Sequence, residues 1–174
     1  MNPPPMILPE FEDDAPIWLY GFRDPLDASG RALVREAFTD FLPTWVAHEN
    51  PVTGSFALLE DRFLLLCGTV EGGFSGCSVD STTRILKDLR ARSHLDALDR
   101  GLVFYRKDGA ILAVSRSEFA SRLSRGEVNA ATRVFDLTAT RLGVLRRNAL
   151  ERPLRESWHA KAFPSAAPAL PASN

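Results

Sequence analysis

The stretch Ser75-Gly76-Cys77-Ser78-Val79-Asp80-Ser81 places a thiol, a carboxylate and three hydroxyls just ahead of an apolar-periodic run. A helix N-terminus presents unpaired N–H groups and a partial positive charge, and a thiol beside it is more readily ionised. Read this way, Cys77 precedes a helix by one to three residues, with Ser78, Asp80 or Ser81 as its N-cap. Gly76, extended by Gly72 and Gly73, supplies the positive φ that lets the loop turn back. The same parts suit a small oxyanion- or ligand-binding turn formed by Gly76, Ser78, Asp80 and Ser81. Asp80 opposes an anion, because its carboxylate competes for the same N–H groups. A plainer reading also stands, in which "SVDSTT" simply starts a helix well and Cys77 packs.

Nucleophilic chemistry at Cys77 needs a base, most often histidine. His94 reads as a solvated helix-end residue. His48 lies in "WVAHENP" and His159 in "ESWHAKAF", each close behind a tryptophan, Trp45 and Trp158. Two such patches could form the wall of one pocket. Alternatively the tryptophans anchor irregular segments while the histidines bond a local carbonyl or face water. No short ligand spacing links His48, His159 and Cys77, so no metal site is assigned and no cofactor is implied. A phosphate loop needs G-x-x-x-x-G-K-[ST], and "GGFSGCSVDST" has no lysine. The likeness of "FSGCS" to the signature loop of transporter ATPases therefore does not make an ATPase.

The elements that must position these residues follow from periodicity. "IWLYGF" (17–22), bounded by Pro16 and Pro25, reads as a strand. Leu33/Val34, Ala37/Phe38, Phe41/Leu42 and Trp45 recur at helical spacing, and Pro43 ends or kinks that helix near Leu42. "SFALLE" and "RFLLLCGTV" read as a hairpin turning around Asp61, and the unbroken Phe63–Cys67 run as a central strand buried on both faces. Cys67 is thus a core residue; a Cys67–Cys77 bridge is left open by the sequence. Val79, Thr82, Ile85/Leu86 and Leu89 form the apolar stripe of a second helix. "LVFYR" and "AILAVS" flank the turn Lys107-Asp108-Gly109. Ser115 and Glu118 have capping-box spacing and open a helix that Gly126 closes, followed by the strand "TRVFDL". Thr138–Phe163 reads as mixed loop and helix.

The order is β-α-β-β-α-β followed by β-α-β. It predicts an α+β fold with a ferredoxin-like split βαβ, extended by the last three elements. One domain is expected over residues 17–163. A Pro/acidic tail (1–16) and a Pro/Ala/Ser tail (164–174) are expected to stay mobile.

At 174 residues, with 45% hydrophobic and 25% charged side chains, the composition is that of an ordinary soluble protein. A net charge of −1 gives no general attraction to nucleic acid or anionic membrane. No apolar run approaches membrane-spanning length and the N-terminus has no leader pattern, so a cytoplasmic location is expected. The late cluster Arg141, Arg146, Arg147, Arg152 and Arg155 is diluted by Glu151 and Glu156 and reads as a solvated face. Pairing with the acidic N-terminal segment is a further use for it.

The blocks "WVAHENPV", "SGCSVDSTTRILKDL", "SEFASRLSRGEVNAATRVF" and "ESWH" resemble, in order and spacing, a group of short uncharacterised bacterial proteins. These carry Trp-x-x-His, S-G-C-S-[IV]-D-S-[ST], G-x-[IV]-N-x-x-T-x-V-F and a late Ser-Trp-His, sometimes under a transporter-ATPase name. The resemblance spans about residues 17–163, implies kinship and no mechanism, and directs attention to Trp45, His48, Cys77, Asp80, Trp158 and His159. Two functions are carried forward. The first is a module binding a protein partner or small ligand around the Cys77 turn, Trp45/His48 and Trp158/His159. The alternative is a thiol-dependent enzyme with Cys77 as nucleophile, His48 or His159 as base, and Asp80 or Ser78 orienting. The binding module takes precedence, because spacing alone yields no complete catalytic set.

Overall fold

Aromatic and branched residues that alternate or run together make the strands, and the longest uninterrupted run makes the central one. The computed structural model describes residues 6–74 and 76–164, with the main chain alone over 76–79. They fold as two compact units, one comprising residues up to Asp99 plus Leu137–Asn148, the other Arg100–Asp136 plus the chain from Ala149. The sequence reading expects a single domain over 17–163. The first unit takes back a short segment, 137–148, late in the chain.

The first unit opens with β1 (Ile17–Gly21), followed by α1 (Ala28–Phe41). Asp27 caps α1, its carboxylate accepting from the Gly30 N–H at 2.7 Å. The helix stops at Phe41, and Leu42–Thr44, carrying Pro43, forms a 3₁₀ turn. A minimal hairpin follows, β2 (Val46–Ala47) and β3 (Asn50–Pro51), then β4 (Thr53–Leu59), β5 (Phe63–Thr69) and α2 (Gly76–Ser93). β1, β5 and β4 form an antiparallel sheet in that order, so β1 and β4 run the same way with β5 between them. On one face Tyr20, Leu64 and Leu66, joined by Phe56 and Leu58, meet Val34, Phe38 and Phe41 of α1 and Leu86 and Leu89 of α2. The alternate residues Ile17, Leu19, Phe63, Leu65 and Cys67 are buried as well, so β5 is covered on both sides.

The second unit contains β6 (Leu102–Lys107), β7 (Ala110–Ser115), α3 (Arg116–Ser124), β8 (Arg133–Phe135) and β9 (Glu151–Pro153), with sheet order β7-β6-β8-β9. Asp108 and Gly109 both take positive φ in the β6–β7 hairpin, as the Asp-Gly pair requires. Ser115 caps α3, accepting from the Glu118 N–H at 3.2 Å, while the Glu118 carboxylate turns to Arg122. Val103, Tyr105, Phe119, Val128, Val134, Leu154 and Phe163 form its core. α4 (Leu142–Asn148) belongs to the first unit, and the short α5 (His159–Ala162) closes the second.

This mixed α+β, antiparallel arrangement differs from the ferredoxin-like expectation at the fourth strand. A ferredoxin-like sheet places that strand beside the first; here β6 pairs with β7 and β8 in the other unit. Among the described residues the chain just before β1 is met by one isolated bridge, Pro16 to Arg141. Residues 6–16, expected as part of a mobile tail, are held in place. Phe11 and Ala15 are buried, and the Arg146 guanidinium bonds the carbonyls of Ile7, Leu8 and Phe11 while pairing with Asp13 at 2.7 Å. Of the tail expected over 164–174, residues 165–174 lie outside the described residues. No helix of the described residues is long and apolar enough to cross a membrane.

Candidate functional site

The residues before α2 and the start of β1 build a concavity in the first unit. Trp18 projects from β1 onto the helix-covered face, and its ring meets Phe74 edge-on at 4.9 Å between centroids. Phe74 belongs to the loop after β5, where Gly72 and Gly73 take φ of +82° and +81°. Together they wall an open cavity of about 500 Å³. Thr69, Thr140, Asp14 and Arg141 bring polar groups to it. Main-chain bonds fix this rim: Ile17 N–H donates to the Thr140 carbonyl at 3.1 Å, and the Gly68 N–H to that of Pro16 at 3.3 Å. Arg141 Nη1 donates to the Asp14 carbonyl at 2.7 Å.

Trp45 supports the site from behind. It is 1% exposed, and its ring packs against Phe41, Trp18 and Phe74 at 5.3–5.7 Å. Gly54 and Gly68, directly opposed across β4 and β5, make the slot for that ring. A Cβ at either would come within 2.9 or 2.8 Å of Trp45 carbons. The sequence reading names Trp45 as a ligand contact; the fold uses it as a wedge. His48, three residues on, is exposed in the two-residue β2–β3 turn with φ of 50°.

The segment around Cys77 differs from expectation. The chain turns at Gly72 and Gly73, and α2 is already helical at Gly76, so Cys77, Ser78, Asp80 and Ser81 lie within the helix rather than ahead of it. The helix runs from Gly76 through the buried Thr82, Leu86 and Leu89. None of the three proposed caps, Ser78, Asp80 or Ser81, therefore holds that position. Asp80 is exposed and Ser81 half-buried; the Cys77 and Ser78 side chains lie outside the described residues. Cys67 is a free, fully buried thiol, which burial, reinforced by the charge of Glu10, pushes up to about 11.

Trp158 and His159 belong to the second unit, and Trp45 and His48 to the first. His159 is 1% exposed, stacks on Trp158 at 4.0 Å, and its Nδ1 lies 2.5 Å from Ser157 Oγ. Burial lowers its pKa to about 4, against the raising effect of Asp136 and with Arg116 and Arg152 adding to the depression. It is a neutral core histidine. Trp158 carries the Arg116 guanidinium over its ring at 5.3 Å.

Sequence reasoning found the loop that supplies Gly73 and Phe74 but missed Trp18, Thr69, Thr140 and Arg141. Trp18 carried a signal, as a large aromatic at the start of a strand opening on Pro16. Thr69 reaches the site through the pairing of β5 with β1, and Thr140 and Arg141 through the main-chain pairing of residues 16–17 with 140–141. The chain matches no family model, no curated protein and no solved structure.

Proposed function

We propose that the chain is a binding module whose first unit holds a small ligand in the cavity between β1, the end of β5 and the Gly72–Phe74 loop. One observation carries this reading: two aromatic walls, Trp18 and Phe74, face a concavity of about 500 Å³ that also holds four separate polar residues. Small-molecule sites have this size, an apolar lining and a few polar groups that set orientation. The Cys77 block contributes as the start of the helix that follows this loop, while Phe74 packs on Trp18 and Trp45. Thiol chemistry gains no comparable support, since His159 is sequestered in the other unit's core and His48 sits on an exposed turn. The free Cys67 thiol supports a cytoplasmic setting.

The test is a thermal-shift survey of small metabolites on the wild-type chain and on Thr69→Trp, which fills the cavity from an exposed position. At a concentration near a hundred times Kd, a true ligand stabilises by about 2.7 kcal/mol, a shift of several degrees in a chain of this length. That shift should vanish in Thr69→Trp. No stabilising compound, or hits that shift both proteins equally, would contradict the reading.

A further inference from the structure

We infer that the ligand of this cavity is a zwitterion with an apolar body, of which a free α-amino acid with an aromatic side chain is the simplest form. The inference rests on the binding-module reading and adds to it the chemical class of the ligand.

The charges on the rim carry it. Arg141 and Asp14 both line the cavity. Their one mutual hydrogen bond runs from Arg141 Nη1 to the main-chain carbonyl of Asp14, not to its carboxylate. Among the described residues neither Arg141 nor the Asp14 carboxylate forms an ion pair, whereas Asp13, next in sequence, is engaged by Arg146 and Arg147. The rim thus offers one uncommitted cation and one uncommitted anion. A guanidinium has five donors in a planar fork, and one bond to a carbonyl leaves the geometry for a carboxylate available. The Asp14 carboxylate accepts only, and its natural complement is an ammonium group.

A ligand bearing a single charge would satisfy one of these groups and meet the other as a like charge. A neutral ligand would use neither. A molecule carrying both charges next to each other satisfies both, with its apolar part left for Trp18 and Phe74. The hydroxyls of Thr69 and Thr140 can donate to the carboxylate or accept from the ammonium.

The experiment is calorimetric titration of the full chain with three compounds of one skeleton. L-Phenylalanine carries both charges, phenethylamine lacks the carboxylate, and 3-phenylpropanoate lacks the ammonium. The wild type should bind L-phenylalanine about tenfold more tightly than either analogue, the usual worth of one charge-assisted hydrogen bond. Arg141→Gln should weaken L-phenylalanine about tenfold and should not weaken phenethylamine. Asp14→Asn should do the same with respect to 3-phenylpropanoate. Both side chains are exposed, so unchanged melting temperatures will show that the variants fold.

The inference is overturned if L-phenylalanine does not bind, if either singly charged analogue binds as tightly, or if Arg141→Gln weakens phenethylamine as much as L-phenylalanine. Where a singly charged analogue or another surveyed compound binds and Thr69→Trp abolishes it, the zwitterion falls and the cavity stands. Where nothing sensitive to Thr69→Trp binds at all, both fall together.

Discussion

At the scale of single residues, burial decides what each group contributes. His159 is held neutral, with its folded pKa near 4 against an ordinary 6.5. Above pH 6.5 neither the folded nor the unfolded chain carries that proton, and the group leaves stability intact. Below 6.5 the unfolded chain takes the proton and the folded chain does not, so stability falls until about pH 4. The loss from this group should be on the order of 3 kcal/mol across that window. Denaturant unfolding of His159→Gln should show a weaker pH dependence between 6.5 and 4 than the wild type; an unchanged dependence would contradict the assignment. Trp45 gives a second prediction. Gly68→Ala forces a methyl to within 2.8 Å of the indole, in a slot closed on its other side by Val52. It should destabilise by about 1–3 kcal/mol, the usual cost of overpacking. The burial of His159 was not legible in sequence, because a histidine behind a tryptophan looks the same whether it faces water or a core; the anchoring of Trp45 was one of the two readings the sequence allowed.

At the scale of elements, the legible parts were those set by local chemistry. Pro43, the Asp108-Gly109 turn and the Ser115 cap each fix a boundary within a few residues of themselves. The start of α2 was misplaced because Gly76 competes with Gly72 and Gly73 for the turn, and sequence does not say which glycine makes it. The order of strands was least legible. β6 follows α2 as a ferredoxin-like fourth strand would, yet its hairpin with β7 and its pairing with β8 draw it into the second sheet. The 6–16 segment was misread as a tail, although the pairing of late arginines with its acidic residues was anticipated. Arg146 is the clamp, and its side chain is 13% exposed. Arg146→Gln should release residues 6–15, raising their amide exchange rates. It should cost about 1–3 kcal/mol, since several carbonyls lose a charged donor.

At the scale of the whole molecule, each of the two antiparallel sheet units holds one of the Trp-His pairs. Trp45 and His48 lie in one unit and Trp158 and His159 in the other. The chain's three tryptophans therefore report separately: Trp18 at the cavity, Trp45 behind it and Trp158 in the second unit. Each indole N–H gives its own signal in a nitrogen–proton correlation spectrum. The most direct measurement of the central claim is a titration of that spectrum with the indole-free compound that stabilises the chain most. The account predicts that the Trp18 signal moves in proportion to occupancy, with a smaller response at Trp45 and none at Trp158. A shift confined to Trp158, or binding that leaves Trp18 unmoved, would contradict it.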